Sequence, residues 1–167
     1  MGAEIINKVD KAGLITLDLN DFVVPGERVG LDLANWLDDG LIIKEASFKK
    51  RLDAFNWKSM ESAFVAVFCS KNAIIPTWAY LLIQTKLHAI ARQIFFSDIH
   101  TMNLLLFQQK VNTLSVEQYK NKRVFLKVCS SNKIPVGAFA LFANRLIPSV
   151  KSLFYGEPCS SVPLIKN

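Results

Sequence analysis

The sequence predicts an α/β fold, a three-layer sandwich with a mainly parallel sheet, built partly from two β-α-β repeats. Three observations lead there. Short apolar runs such as Phe64-Val65-Ala66-Val67-Phe68 read as strands covered on both faces. Longer segments opened by Pro76 and Pro135 follow two such runs and suit helices, because proline costs nothing in a first helical turn. The third is an internal likeness: FCSKNAIIPTWAYLLIQTKLHAIARQIFFSD, from Phe68 to Asp98, is echoed by VCSSNKIPVGAFALFANRLIPSVKSLFYGE, from Val128 to Glu157. Cys69 aligns with Cys129, Asn72 with Asn132, and Ile75-Pro76 with Ile134-Pro135, with one residue deleted in the second copy. Beyond the prolines Leu87 meets Leu146, Arg92 meets Lys151, Phe95 meets Phe154 and Asp98 meets Glu157, and further on His100 meets Cys159. Parallel strands joined by right-handed helical crossovers give the layered α/β arrangement.

In chain order, 1–167 is expected to form a single domain, with a lead-in over 1–60, a first repeat over 61–114, and a second repeat with its tail over 115–167. Leu14 to Leu19 reads as a strand, Pro25-Gly26 as a turn, and Arg28 to Leu33 as a second strand. Asp38-Asp39-Gly40 marks a tight turn before the short apolar run Leu41-Ile42-Ile43, and Ser47 is placed to cap a helix over Phe48 to Asn56. After the strand at Phe64–Phe68, a largely buried helix is expected over Thr77 to Gln93. A strand at Ile94-Phe95-Phe96 follows, then a helix capped by Ser97 or Asp98 and running to about Val111. The second copy opens with a strand over Val124 to Val128 that Lys127 interrupts. Its helix is expected to kink or restart at Pro148, its last strand to cover Leu153-Phe154-Tyr155, and the tail from Gly156 to be irregular.

The 167 residues suffice for a full core, and 51% are apolar, with positive mean hydropathy. No apolar run approaches the roughly 20 residues of a membrane span, so the excess points to a core or to the subunit interface of a homo-oligomer rather than to a membrane. The opening MGAEIINKVDKAG has no apolar signal region, and the protein is read as cytoplasmic. The net charge of +6 comes with scattered bases, the densest runs being Lys49-Lys50-Arg51 and Lys120 to Arg123. They read as solvated faces without interleaved aromatics, so no nucleic-acid partner is expected.

Ligands of a parallel sheet gather beyond the carboxyl ends of its strands. Cys69 and Cys129 each follow an expected strand, and His100 and Cys159 each follow the strand that ends a repeat. Three thiolates and an imidazole are a donor set for zinc or an iron–sulfur cluster. Asp98 and Glu157 are less favoured oxygen donors. A second possibility is a thiol enzyme or persulfide carrier with Cys69 or Cys129 as nucleophile, beside Ser70 or Ser130 and Lys71. A third is a non-catalytic interaction module. Against any chemistry stands the ordinary role of a free cysteine as a small buried hydrophobe. Asp18, Asp21, Asp32, Asp38 and Asp39 fall at strand ends and turns, where local hydrogen bonding accounts for them. His88 is read as structural, and no glycine fingerprint for a dinucleotide is present.

The segments CSKNAIIPTWAY, VCSSNKIP and GEPCSSVPLIK, the opening EIINKVDKAGLITLDL and the GERV turn resemble the bacterial family of unknown function numbered 2480, over essentially the whole chain. The resemblance implies cysteines at the positions of Cys69, Cys129 and Cys159. It also implies an association with iron–sulfur assembly proteins. It implies no established activity. This chain departs from the family pattern at His100, where an acid is usual, and at Ser97, where glycine is usual.

Overall fold

The computed structural model describes residues 13–127 and 134–167. These form four α-helices and seven strands. The strands are β1 (Leu14–Asp18), β2 (Arg28–Asp32), β3 (Phe64–Phe68), β4 (Gln93–Phe95), β5 (Arg123–Lys127), β6 (Ser152–Glu157) and β7 (Ser160–Lys166). The helices are α1 (Glu45–Ala54), α2 (Thr77–Leu87), α3 (Ile99–Asn112) and α4 (Val136–Leu146). The mixed α/β class holds, but the expected single sheet is two sheets, ordered β2-β3-β4 and β1-β5-β6-β7. Among the described residues the pairings between these strands are parallel except β6 with β7. The chain divides accordingly into one unit of Pro25–Met102 and another combining Met1–Val24 with Asn103–Asn167. The segment read as a lead-in is shared between them, because β1 pairs with β5 while β2 pairs with β3.

In the 25–102 unit, β3 is the central strand and Phe64 to Val67 are buried, as their unbroken apolar run requires. Helix α1 buries Phe48 and Leu52, and α2 buries Ala79, Ile83 and Leu87. Trp36 lies 5.4 Å from Phe48 and 5.3 Å from Phe55, and Phe48 meets Trp78 edge-on at 5.6 Å. Helix α1 starts at Glu45, earlier than expected, because Ser47 does not cap it. Instead, Asp38 accepts from the Lys44 amide at 2.9 Å, the Ser47 hydroxyl at 2.6 Å and the Arg51 guanidinium at 2.7 Å. Arg51 first, then Ser47 and the Lys44 amide, hold the Asp38 carboxyl well below the usual carboxylate range. Helix α2 ends at Leu87, short of the expected Gln93. The amides of Ile90 and Ala91 both donate to the Leu87 carbonyl, at 2.9 and 2.8 Å, and close the helix in a turn. His88 therefore stands exposed at the helix end rather than mid-helix.

In the other unit, Leu17, Val124, Leu126 and Leu153 of the sheet bury against Ala138, Phe142 and Leu146 of α4 and Phe107 and Val111 of α3. Phe22 meets Phe142 edge-on at 4.7 Å. Helix α4 is complete at Leu146, so Pro148 follows the helix and does not kink it. The tail read as irregular is strand β7, folded back on β6 across Pro158-Cys159. Prolines at 158 and 163 suggested a break. A turn accommodates the first, and an edge strand, with one side unpaired, tolerates the second. The successions β3-α2-β4 and β5-α4-β6 each run strand, helix, strand, and the two helices have eleven residues each. No helix among the described residues is long and apolar enough to cross a membrane.

Candidate functional site

At the carboxyl edge of β2-β3-β4, Asp32 ends β2. Its Oδ1 accepts from the Ala34 amide at 2.9 Å, which starts a short 3-10 turn, and from the Ser70 amide at 2.9 Å. Partial burial opposes the charge on Asp32. The Ser70 and Ala34 donors and the Lys71 cation outweigh it and leave the carboxyl below its ordinary range. Asp32 thereby fixes the chain just past Cys69, which follows β3 half-buried and packs against the core with Ala73, Ile75 and Tyr80. Burial, with Cys69 adding to it, pushes the Tyr80 phenol up. Beyond β4, Asp98 caps α3, accepting from the Thr101 amide at 2.8 Å and the Thr101 hydroxyl at 3.1 Å. The Thr101 amide leads the causes that hold the Asp98 carboxyl down. His100 lies exposed in the first turn of α3.

The carboxyl edge of β1-β5-β6-β7 holds an open cleft of about 460 Å³, lined by Thr16, Asp18, Asp21, Lys127, Glu157 and Pro158. Asp18 ends β1 as Asp32 ends β2: its Oδ1 accepts from the Asn20 amide at 2.9 Å and starts another 3-10 turn. Lys127 reaches Glu157 at 3.4 Å and Asp18 at 3.9 Å, so the cationic tip that interrupts the apolar run of β5 is neutralised at the strand end. Cys159 is an exposed residue of the hairpin turn beyond Glu157.

A second feature of the same unit is apolar. A groove of about 460 Å³ runs between α4 and the hairpin, floored by Leu126 and walled by Val136, Phe139, Ala140, Ala143, Tyr155 and Leu164. Among the described residues no charged side chain lines it. Val136 is 83% exposed, Val162 59%, Leu164 52% and Tyr155 47%, so these large apolar groups face solvent.

A family model described as "Protein of unknown function (DUF2480)" matches residues 3–167. The chain belongs to the DUF2480 family. No curated protein and no solved structure matches it.

In this DUF2480 chain the candidate ligands are distributed over different elements. Cys69, Asp98 and His100 belong to the 25–102 unit, Glu157 and Cys159 to the other, and Cys129 lies outside the described residues. Among the described residues no three His, Cys, Asp or Glu side chains stand where they could hold a metal ion. Asp98 is engaged as a helix cap and Glu157 with Lys127. Sequence reasoning passed over Asp18 and Asp32 as turn aspartates. The signal that pairs them is Leu17-Asp18-Leu19 against Leu31-Asp32-Leu33, each strand end followed by a 3-10 turn. It also passed over the outer face of α4, where Val136, Ala140 and Ala143 recur at helical spacing.

Proposed function

We propose that this DUF2480 protein is a non-catalytic interaction module that pairs with a second copy of itself through the apolar groove between α4 and the β6–β7 hairpin. The observation that carries this reading is the groove's lining, uncharged among the described residues, with solvent-facing Val136, Tyr155 and Leu164. Two copies each bearing a net charge of +6 repel over most of their surfaces. An uncharged face relieves that repulsion. A two-fold pairing sets one patch against itself, which suits a helix face that exposes Val136 and Ala140 with half-buried Ala143 beside them. Burying such side chains supplies roughly 25 cal/mol per Å² before the cost of association.

Light scattering on the wild type and on Ala140→Glu tests it. The wild type is expected at twice the 18.8 kDa chain mass, and the variant at the chain mass with unchanged circular dichroism. A wild type that stays at the chain mass up to its solubility limit contradicts the reading.

A second reading is a cytoplasmic zinc or iron–sulfur protein, an accessory to cluster assembly, drawing on Cys69, Cys129 and Cys159. It is supported by the register of the sequence and by two free thiols just past strand carboxyl ends. The described residues do not make a metal site by themselves. Stoichiometric zinc or iron after anaerobic purification, lost in Cys159→Ser, supports it. Protein that is metal-free before and after reconstitution contradicts it.

A further inference from the structure

The amino-terminal edge of the β1-β5-β6-β7 sheet carries a charge distribution that neither reading uses. Between 103 and 167 the chain has nine Lys or Arg against two acids, whereas 25–102 has nine against eight. Much of that excess is brought to one edge by strand register. Arg123, the first residue of β5, pairs with Ser152, and Ser152 pairs with Lys166. One step outward the Lys151 amide donates to the Lys122 carbonyl at 2.8 Å, and the Asn167 amide to the Lys151 carbonyl at 2.9 Å. Neighbouring strands lie about 4.8 Å apart, so Lys122, Arg123, Lys151 and Lys166 leave the backbone within about 10 Å of one another. All four are exposed. Among the described residues their charges meet no acid in a salt bridge, while Lys120 beside them pairs with Glu117 at 3.8 Å and Lys127 at the opposite edge has two carboxylates.

The backbone beneath these cations is well tied. The Asn167 side-chain amide donates to the carbonyls of Ile147 and Val150, both at 3.1 Å, and the Asn121 amide donates to the Ser149 carbonyl at 2.9 Å. Like charges leaving the backbone this close together repel one another, and a partner that supplies carboxylates gains what the described residues do not offer there.

We propose that this edge is a docking surface for an acidic segment of a partner protein. A compact fan of cations at the ends of three strands matches clustered carboxylates. Of the aromatic side chains exposed to solvent, Trp78, Phe96 and Tyr155, none belongs to this edge, so it lacks the stacking platform of a single-strand nucleic-acid surface. Residues 120–123, 149–151 and 166–167 include no exposed apolar side chain to insert into a bilayer beside the lysines.

The test is fluorescence anisotropy of a labelled oligo-glutamate peptide with the full chain at low and physiological salt. A single-stranded oligonucleotide, a duplex and phosphatidylserine vesicles are measured beside it. The wild type is expected to bind the peptide, and Lys122→Glu with Lys151→Glu to weaken it about tenfold. The neutral pair Lys122→Gln with Lys151→Gln is expected to fall between. Lys50→Glu with Lys58→Glu, an equal change of net charge on the 25–102 unit, is expected to stay within about twofold. Equal losses in the two charge-reversed variants overturn the proposal. So does a wild type that ignores the peptide at low salt, or one that binds the oligonucleotide, the duplex or the vesicles more tightly.

Discussion

Phe48→Ala is expected to cost the 25–102 unit about 3–5 kcal/mol in urea unfolding, the range for emptying a buried aromatic site. Phe48 is fully buried on the inner side of α1, with Trp36 and Trp78 ring centroids at 5.4 and 5.6 Å. Two indoles cannot collapse into the space without leaving their own rotamers, so the cavity term adds to the lost transfer energy. Lys49→Ala, one residue on, removes an exposed side chain paired with Glu45 at 2.6 Å and is expected to change stability by no more than about 0.5 kcal/mol. A loss at Phe48 below about 1 kcal/mol contradicts the assignment of α1 to the core.

Gly156→Ala is expected to destabilise the other unit by about 2–4 kcal/mol and to weaken self-association with it. Gly156 sits at φ +107, where side chains are strained, and a methyl there lies 2.5 Å from the Ser160 carbonyl oxygen and 3.3 Å from the Ser161 Cα. Both neighbours are backbone of the facing strand, so the hairpin has to open. That displaces Val162 and Leu164 from beside the groove. Gly137→Ala is the contrast. The nearest atoms to its added methyl belong to the side chain of Leu104, at 3.0 Å, and alanine favours the helix, so a change of about 1 kcal/mol or less is expected. Urea unfolding of the two variants side by side measures the difference.

The α/β class was legible because its signals are local. The run Phe64 to Phe68 and the prolines at 76 and 135 each specify an element within a few residues of themselves. Strand partnership is not local. Nothing in LITLD distinguishes pairing with Arg123–Lys127 from pairing with Arg28–Asp32, and that choice divides the strands into two sheets. The tail was misread because Pro158 and Pro163 signal breaks unless the strand is known to lie at an edge. Cys69, His100 and Cys159 do stand past strand carboxyl ends as their spacing implied, and Cys129 lies outside the described residues. Spacing along the chain does not say which of them share a sheet. The groove was only indirectly legible: apolar excess showed in composition, but its place depends on β7 folding back beside α4.

Oxidative cross-linking addresses the two-fold pairing most directly. In a chain with all three native cysteines replaced by serine, Ala140→Cys places one thiol on the outer face of α4, close to its own mate across the proposed axis. Two-fold pairing predicts rapid formation of a disulfide-linked dimer at twice the 18.8 kDa chain mass, while Lys50→Cys, exposed on the 25–102 unit, remains largely single-chain under the same oxidant. An Ala140→Cys protein that links no faster than Lys50→Cys contradicts it.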